Sequence, residues 1–210
     1  MEYDGKVLML GYGSVAKCTL PIMLKHIQIP ISNITLIDFE DKHDALKEWT
    51  SQGLNYVQHK ITKENLEQTL SQYLPKANGL LIDLAWNIGC NDILKWCHEN
   101  HILYINTSVE QWDPELDMDI KSPFEKSLYF RQMKLRDMIK NWRSSTTAVL
   151  DHGANPGLIS HFTKQALLDI TERLIKENKV SKKEASKIAK LAKQRKFPEL
   201  AMTLGVKVIH

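Results

Sequence analysis

The sequence predicts an α/β protein that begins with a doubly wound parallel sheet and ends in a helical region. Three observations support this fold class. Short apolar runs alternate with segments of helical period over residues 1–152, a glycine-rich turn follows the first run, and residues 156–204 show helical periodicity alone. Because strands that alternate with helices pair in parallel, helices are expected on both faces of the sheet.

Six apolar runs are predicted as strands, at residues 6–10, 34–37, 54–58, 79–83, 102–105 and 146–150. The segments between them are predicted as helices, at about residues 14–27, 42–51, 63–73, 90–100 and 126–142. Residues 1–152 are therefore expected to form one domain. Residues 153–210 are expected to begin a second domain, with helices near 156–176, 182–195 and 198–204. The last residues, 206–210, are predicted to start a strand without a partner, so we expect the chain to be part of a longer protein.

The composition is that of a soluble globular protein, with 43% hydrophobic and 25% charged residues. No apolar run approaches the ~20 residues of a membrane span, and the first residues lack the layout of a signal peptide. A cytoplasmic protein without membrane contact is expected. Lysine-rich residues 173–196 carry most of the excess of the +3 net charge. Ile188, Leu191 and Ala192 form an apolar helical stripe there, which favours a solvated lysine face over a nucleic-acid surface.

The three cysteines, Cys18, Cys90 and Cys97, show no spacing typical of a metal site. Their number leaves one cysteine unpaired, which argues against a disulfide framework. They are predicted to be buried thiols, and no metal site is expected.

A glycine-rich turn directly follows the first predicted strand. Residues 11–16, Gly-Tyr-Gly-Ser-Val-Ala, have the G-x-G-x-x-A spacing and open the first predicted helix. Gly11 is expected to make the tight turn, Gly13 to let the backbone approach a pyrophosphate, and Ala16 to allow close packing of helix on strand. The N-terminus of the helix would offer unpaired N–H groups to the phosphates. This context predicts a Rossmann-like dinucleotide-binding domain.

Asp38 ends the second predicted strand, at the distance from the glycines where an acidic residue accepts hydrogen bonds from ribose hydroxyls. No arginine follows at once to bind a 2′-phosphate, so NAD is favoured over NADP. Two alternatives remain open. The glycine turn could bind no ligand, or Asp38 could cap a helix that starts near Asp41.

Polar residues also follow three later strands, and ligands of open parallel sheets lie beyond the carboxyl ends of the strands. These residues are Asp83, Trp86 and Asn87, then Asn106, Thr107, Ser108, Glu110 and Trp112, then Asp151, His152 and Asn155. Among them, Asp83 and Thr107 are predicted to contact the cofactor.

Residues 110–119 hold five carboxylates beside Trp112, a combination that suits a cationic amine. Glu110, the nearest of them to the strand end, is the best candidate. A solvated acidic loop is the alternative for the other four, Asp113, Glu115, Asp117 and Asp119.

The segment Asp-His-Gly-Ala-Asn-Pro-Gly at residues 151–157 follows the sixth strand, where a nicotinamide would lie. Asn155 is biased toward extended geometry by the proline after it, and Pro156 is expected in the first turn of the next helix. His152 is a candidate general acid or base, with a structural histidine as the alternative.

Three segments together resemble homospermidine synthase, within the saccharopine dehydrogenase-like group: "DHGANPGLISHFTKQAL", "GYGSVAKCTLPIM" and "NTSVEQW". The resemblance covers the whole chain, which is similar to the N-terminal half of the proteins of that family. It implies a redox-neutral transferase that converts two putrescine molecules into sym-homospermidine and ammonia, with NAD as a prosthetic group. It further implies that the full-length protein is a homodimer. The residues implied to hold NAD are Gly11, Gly13, Ser14, Val15 and Asp38. Glu110 would guide the diamine, and Asn155 would lie beside substrate and nicotinamide.

Two other functions remain open. A saccharopine- or carboxynorspermidine-dehydrogenase-like oxidoreductase would consume NAD(P)H and should need an arginine near the strand ends to bind a carboxylated substrate. Arg131, Arg136 and Arg143 fall instead on a predicted helix. The other alternative is an NAD-binding module without turnover.

Overall fold

The structure, a computed structural model, describes residues 1–75, 77–113, 122–144 and 146–209. The chain divides into two compact units, Met1–His152 and Gly153–His210. Strands of the first unit are β1 (Lys6–Leu10), β2 (Ile34–Asp38), β3 (Asn55–Gln58), β4 (Gly79–Asp83), β5 (Leu103–Asn106) and β6 (Ala148–Val149). Its helices are α1 (Ser14–His26), α2 (His43–Ser51), α3 (Leu66–Tyr73), α4 (Cys90–Asn100) and α5 (Leu128–Ile139). The second unit contains α6 (Leu158–Lys176), α7 (Lys182–Lys193) and α8 (Phe197–Thr203).

The six strands form one parallel sheet in the order β3-β2-β1-β4-β5-β6. This is the strand order of a Rossmann-type sheet, in which ligands bind where the direction of winding reverses. The reversal lies between β1 and β4. Leu10 at the end of β1 is level with Ile37 of β2 and Asp83 of β4, so the segments after these strands leave the sheet at one edge. The predicted fold class is confirmed.

Helices cover both faces of the sheet, which explains the continuous apolar runs of its central strands. Val7 and Met9 of β1 pack with residues of α1 and α2, and the alternate residues Leu8 and Leu10 pack with residues of α3, α4 and α5. All four side chains are buried. Each face of β1 therefore contributes to a separate hydrophobic core.

The three helices of the second unit pack around Leu167, Ile188 and Leu200, all of them buried. The lysines of α7 are exposed, so the apolar stripe predicted for this helix is confirmed. Ser181 caps α7, because its hydroxyl accepts a hydrogen bond from Glu184 N while the Glu184 carboxylate accepts one from Ser181 N at 3.0 Å. This reciprocal arrangement is a capping box.

Several predicted boundaries were wrong. The sixth strand is only two residues long, because only Ala148 and Val149 pair with β5. Helix α6 begins at Leu158, so Pro156 lies before the helix and not in its first turn. Residues 206–209 form no strand, since Val206 N donates to Ala201 O and its side chain packs on the core of the second unit.

Of the three cysteines, Cys90 and Cys97 are buried as predicted, but Cys18 is exposed on α1. Among the described residues, no helix combines the length and the apolar composition needed to cross a bilayer.

Candidate functional site

The turn after β1 has the backbone geometry that glycine permits. Gly11 has a φ of 85°, and a Cβ there would lie 3.1 Å from backbone atoms of Ala85. Another residue at this position would therefore be strained. At Gly13, in contrast, no heavy atom beyond the adjacent residues lies within 4 Å of the place that a Cβ would occupy. The protein leaves that space open for a ligand close to the backbone.

Helix α1 begins directly after this turn with Ser14 and Val15, both exposed. Its N-cap residue, Gly13, makes no side-chain cap, and the first turn holds no acidic residue. The partial positive charge at this helix N-terminus is thus not offset by a local carboxylate. The geometry suits a phosphate group.

Asp38 joins the glycine turn to the end of β2. Its carboxylate accepts hydrogen bonds from Tyr12 N at 2.6 Å and from Glu40 N at 2.9 Å. A carboxylate has about four lone-pair sites, so acceptor capacity remains for ligand hydroxyls. The alternative in which Asp38 caps α2 was wrong, because α2 begins at His43 with Lys42 as an N-cap that makes no side-chain hydrogen bond.

A cavity of about 710 Å³ opens at this edge of the sheet, a volume within the usual range for small-molecule sites. Its walls come from the glycine turn, from the segments after β2, β3 and β4, and from the end of the segment after β5. The lining residues are 10–13, 37–40, 42, 59–64, 84–88, 112 and 113. The fold therefore brings Gly11, Gly13 and Asp38 to one cavity.

The predicted cofactor residue Asp83 is buried below this cavity edge and does not line it. Its carboxylate accepts hydrogen bonds from Tyr104 Oη at 2.9 Å and from Ala85 N at 3.2 Å. Burial, and to a smaller extent the negative charge of Glu110, raise the pKa of Asp83 to about 7. Both hydrogen-bond partners of Asp83 described here are residues of the protein itself, and its contact with a cofactor stays a prediction.

Asn106 has a central position that its sequence context did not reveal. Its side-chain Nδ2 donates to Tyr104 Oη at 2.9 Å and to Cys90 Sγ at 3.2 Å, while Oδ1 accepts from Asp151 N at 2.8 Å. Its main-chain oxygen accepts from His152 N at 3.1 Å. The residue thus ties the ends of β5 and β6 together. Asp151, with a φ of 58°, is held in a left-handed conformation that few residues other than glycine adopt.

Glu110 is half-buried and hydrogen-bonded. Its carboxylate accepts from Ser108 Oγ at 2.7 Å, and its main-chain oxygen accepts from Cys90 N at 3.1 Å. Neither Glu110 nor the half-buried Thr107 lines the cavity. Asp113 is exposed, as a solvated position would be. The remaining acidic residues of the segment, Glu115, Asp117 and Asp119, lie outside the described residues.

The other two predicted catalytic residues belong to different units. His152 is exposed at the end of the first unit, and Asn155 is exposed in the second, before a cis peptide bond to Pro156. Their roles at a reacting centre stay predictions.

The strand order, the glycine turn at the switch point and the acidic residue at the end of β2 define a dinucleotide-binding domain. Comparison with known families identifies its kind. The chain belongs to the family of the saccharopine dehydrogenase NADP-binding domain, whose family model matches residues 7–149.

Similar proteins are homospermidine synthases. The chain is 32% identical to the homospermidine synthase of Blastochloris viridis over 99% of its own length and 41% of that relative. It is 28% identical to that of Mesorhizobium japonicum over 100% of its length and 41% of that relative. The crystal structure of the Legionella pneumophila homospermidine synthase in complex with NAD matches with a TM-score of 0.71 and 28% identity, covering 99% of this chain and 40% of that one. The predicted resemblance is confirmed, and the chain spans about two fifths of the length of these relatives.

Proposed function

We propose that this chain binds NAD and forms the cofactor-binding part of a homospermidine synthase. The observation that supports NAD binding most directly is the cavity that Gly11, Gly13 and Asp38 share. The homospermidine synthases that align with nearly the whole chain support the reaction. Because the chain covers only part of their length, the reaction belongs to a longer protein.

The residues present fit the cofactor. The open space at Gly13 and the uncapped start of α1, with Ser14 and Val15, would accept the pyrophosphate. The free lone pairs of Asp38 would accept hydrogen bonds from the ribose hydroxyls. A 2′-phosphate would meet the negative charge of Asp38, which favours NAD over NADP.

The overall reaction is redox-neutral. Bound NAD would supply reversible hydride transfer, in which a hydride leaves an amine-bearing carbon of putrescine and returns to the carbon of the final imine. Between these events a second putrescine amine adds to the imine of the oxidised substrate and ammonia leaves, so that two putrescine molecules give sym-homospermidine and ammonia. In this scheme Glu110 attracts the diammonium substrate, Asn155 positions it, and His152 is the candidate proton carrier. The longer protein is proposed to be a homodimer.

A second candidate is an NAD(P)-dependent oxidoreductase similar to saccharopine dehydrogenase, the enzyme that gives the family its name. One contact favours it. Arg131 of α5 donates through Nη1 to the main-chain oxygen of Val109 at 3.3 Å, so an arginine does lie beside the segment after β5. Such a residue could bind a carboxylated substrate.

Two measurements test these functions. Calorimetric titration of the chain with NAD and NADP should show binding with NAD preferred, and absence of NAD binding would refute the proposal. In the longer protein, putrescine should give homospermidine without accumulation of NADH. Steady net production of NADH, or turnover of a carboxylated amine only, would favour the oxidoreductase.

A further inference from the structure

Trp112 is held in a fixed orientation at the wall of the cavity. Its indole Nε1 donates to Asp92 Oδ2 at 2.6 Å. The ring also lies against Gly89, where an added Cβ would come within 2.3 Å of Nε1. Trp112 packs against the core shared by α3, α4 and α5. Because Gly89 and Asp92 belong to the start of α4, the first unit orients this indole without help from a ligand.

One wall of the cavity lies where the adenosine half of a dinucleotide would bind. Asp38, the residue placed to bind a ribose, and residues 59–64 after β3 line it, and both lie on the β2–β3 side of the switch point. Of the residues that the structure describes, 106–110 and 151–152 do not line this cavity. Trp112 follows β5 in sequence, yet its ring lies against the start of α4 and lines this same cavity.

We propose that Trp112 is the aromatic surface on which the adenine base of the cofactor stacks, an inference that rests on the proposed NAD binding. An indole ring presents a flat, polarisable face of the size that a purine needs, and stacking of a base on an aromatic side chain is a strong and geometrically tolerant contact. Phe39, directly after Asp38, lines the same cavity and is 53% exposed, so it offers the base a second ring. This role differs from the amine contact that the sequence suggested for Trp112.

The test compares ligands that share adenosine but differ in nicotinamide. In calorimetric titrations of the 210-residue chain, Trp112→Ala is expected to weaken NAD and ADP-ribose binding by the same factor, about tenfold or more. Trp112→Phe keeps an aromatic face and should recover most of the affinity. Gly89→Ala keeps the indole but displaces it, so it should also weaken both ligands. Trp142→Phe, which changes a tryptophan that stacks on His98 away from this cavity, is the matched control and should bind normally.

Two results would overturn the inference. One is unchanged NAD affinity in Trp112→Ala. The other is weaker NAD binding with normal ADP-ribose binding, which would assign Trp112 to the nicotinamide. If Trp112→Ala does not fold, normal affinity for both ligands in Gly89→Ala would overturn it instead. If the unsubstituted chain binds neither ligand, the proposed function itself fails and the inference fails with it.

Discussion

Replacement of Asp38 by asparagine is the most informative single change in this protein, because the carboxylate serves both the fold and the proposed ligand. Its two oxygens accept hydrogen bonds from Tyr12 N and Glu40 N, and the side chain is only 8% exposed. An asparagine side chain has one acceptor oxygen and one NH₂ donor. The asparagine oxygen can accept a hydrogen bond from one of the two backbone N–H groups. The NH₂ group then faces the other N–H, which is left without an acceptor.

The expected cost follows from these contacts. A hydrogen bond to a charged group contributes about 1.5–3 kcal/mol, and an unsatisfied buried donor costs a similar amount. Because Asp38→Asn loses one such bond and keeps the other, the free energy of unfolding of the first unit should fall by about 2–3 kcal/mol. The preference for NAD over NADP, expected to be at least ~1 kcal/mol from repulsion of a 2′-phosphate, should shrink toward zero.

Denaturant unfolding followed by tryptophan fluorescence measures the first effect. All five tryptophans lie within residues 1–152, so the signal reports on the first unit alone. Calorimetric titration with NAD and NADP under native conditions measures the second. Asp41→Asn is the matched control, because Asp41 also accepts a backbone hydrogen bond, from His43 N, but is exposed. It should change the unfolding free energy by less than about 1 kcal/mol. Equal stability of Asp38→Asn and the unsubstituted chain, or an unchanged ratio of NAD to NADP affinity, would refute the reasoning.

Three further predictions concern other sites. Burial raises the pKa of Asp83 to about 7, so its protonated form is favoured in the folded state, and the stability of the first unit should fall as pH rises from about 4 to about 7. Asp83→Asn should flatten this part of the denaturation-versus-pH profile, and an unchanged slope would contradict the assignment. In the longer protein, Glu110→Gln should raise KM for the diamine about fivefold with little loss of kcat. High salt should reduce this difference in KM, because it screens the attraction between Glu110 and the diamine in the unsubstituted protein. A loss of kcat at constant KM would contradict that role. Ser181→Ala should cost the second unit about 1 kcal/mol, measured by circular dichroism during denaturation, because α7 loses its capping box. Ser186→Ala, at an exposed position within the same helix, is its control, and equal stability of the two variants would argue against the cap.

Much of the fold could be predicted because it depends on local patterns. Strands that are buried on both faces are apolar along most of their length, so the runs that form β1 and β4 could be recognised in the sequence. A turn with positive φ next to backbone atoms requires glycine, which made Gly11 visible. The boundaries of β6 and α6 were less predictable, since an edge strand with one neighbour is limited by the pairing available to it and not by its own composition.

The candidate site was predictable only in part. The sequence by itself determined the class of fold, the glycine turn and the acidic residue at the end of β2. The tertiary structure alone determined that Asp38 bonds Tyr12, 26 residues away, that Trp112 is held by Asp92, 20 residues away, and that Asn106 holds Asp151, 45 residues away. These partners meet because each crossover between parallel strands returns the chain to the same edge of the sheet. The spacing of residues along the sequence does not show which side chains face one another at this edge. Such contacts can therefore be identified only in the folded sheet.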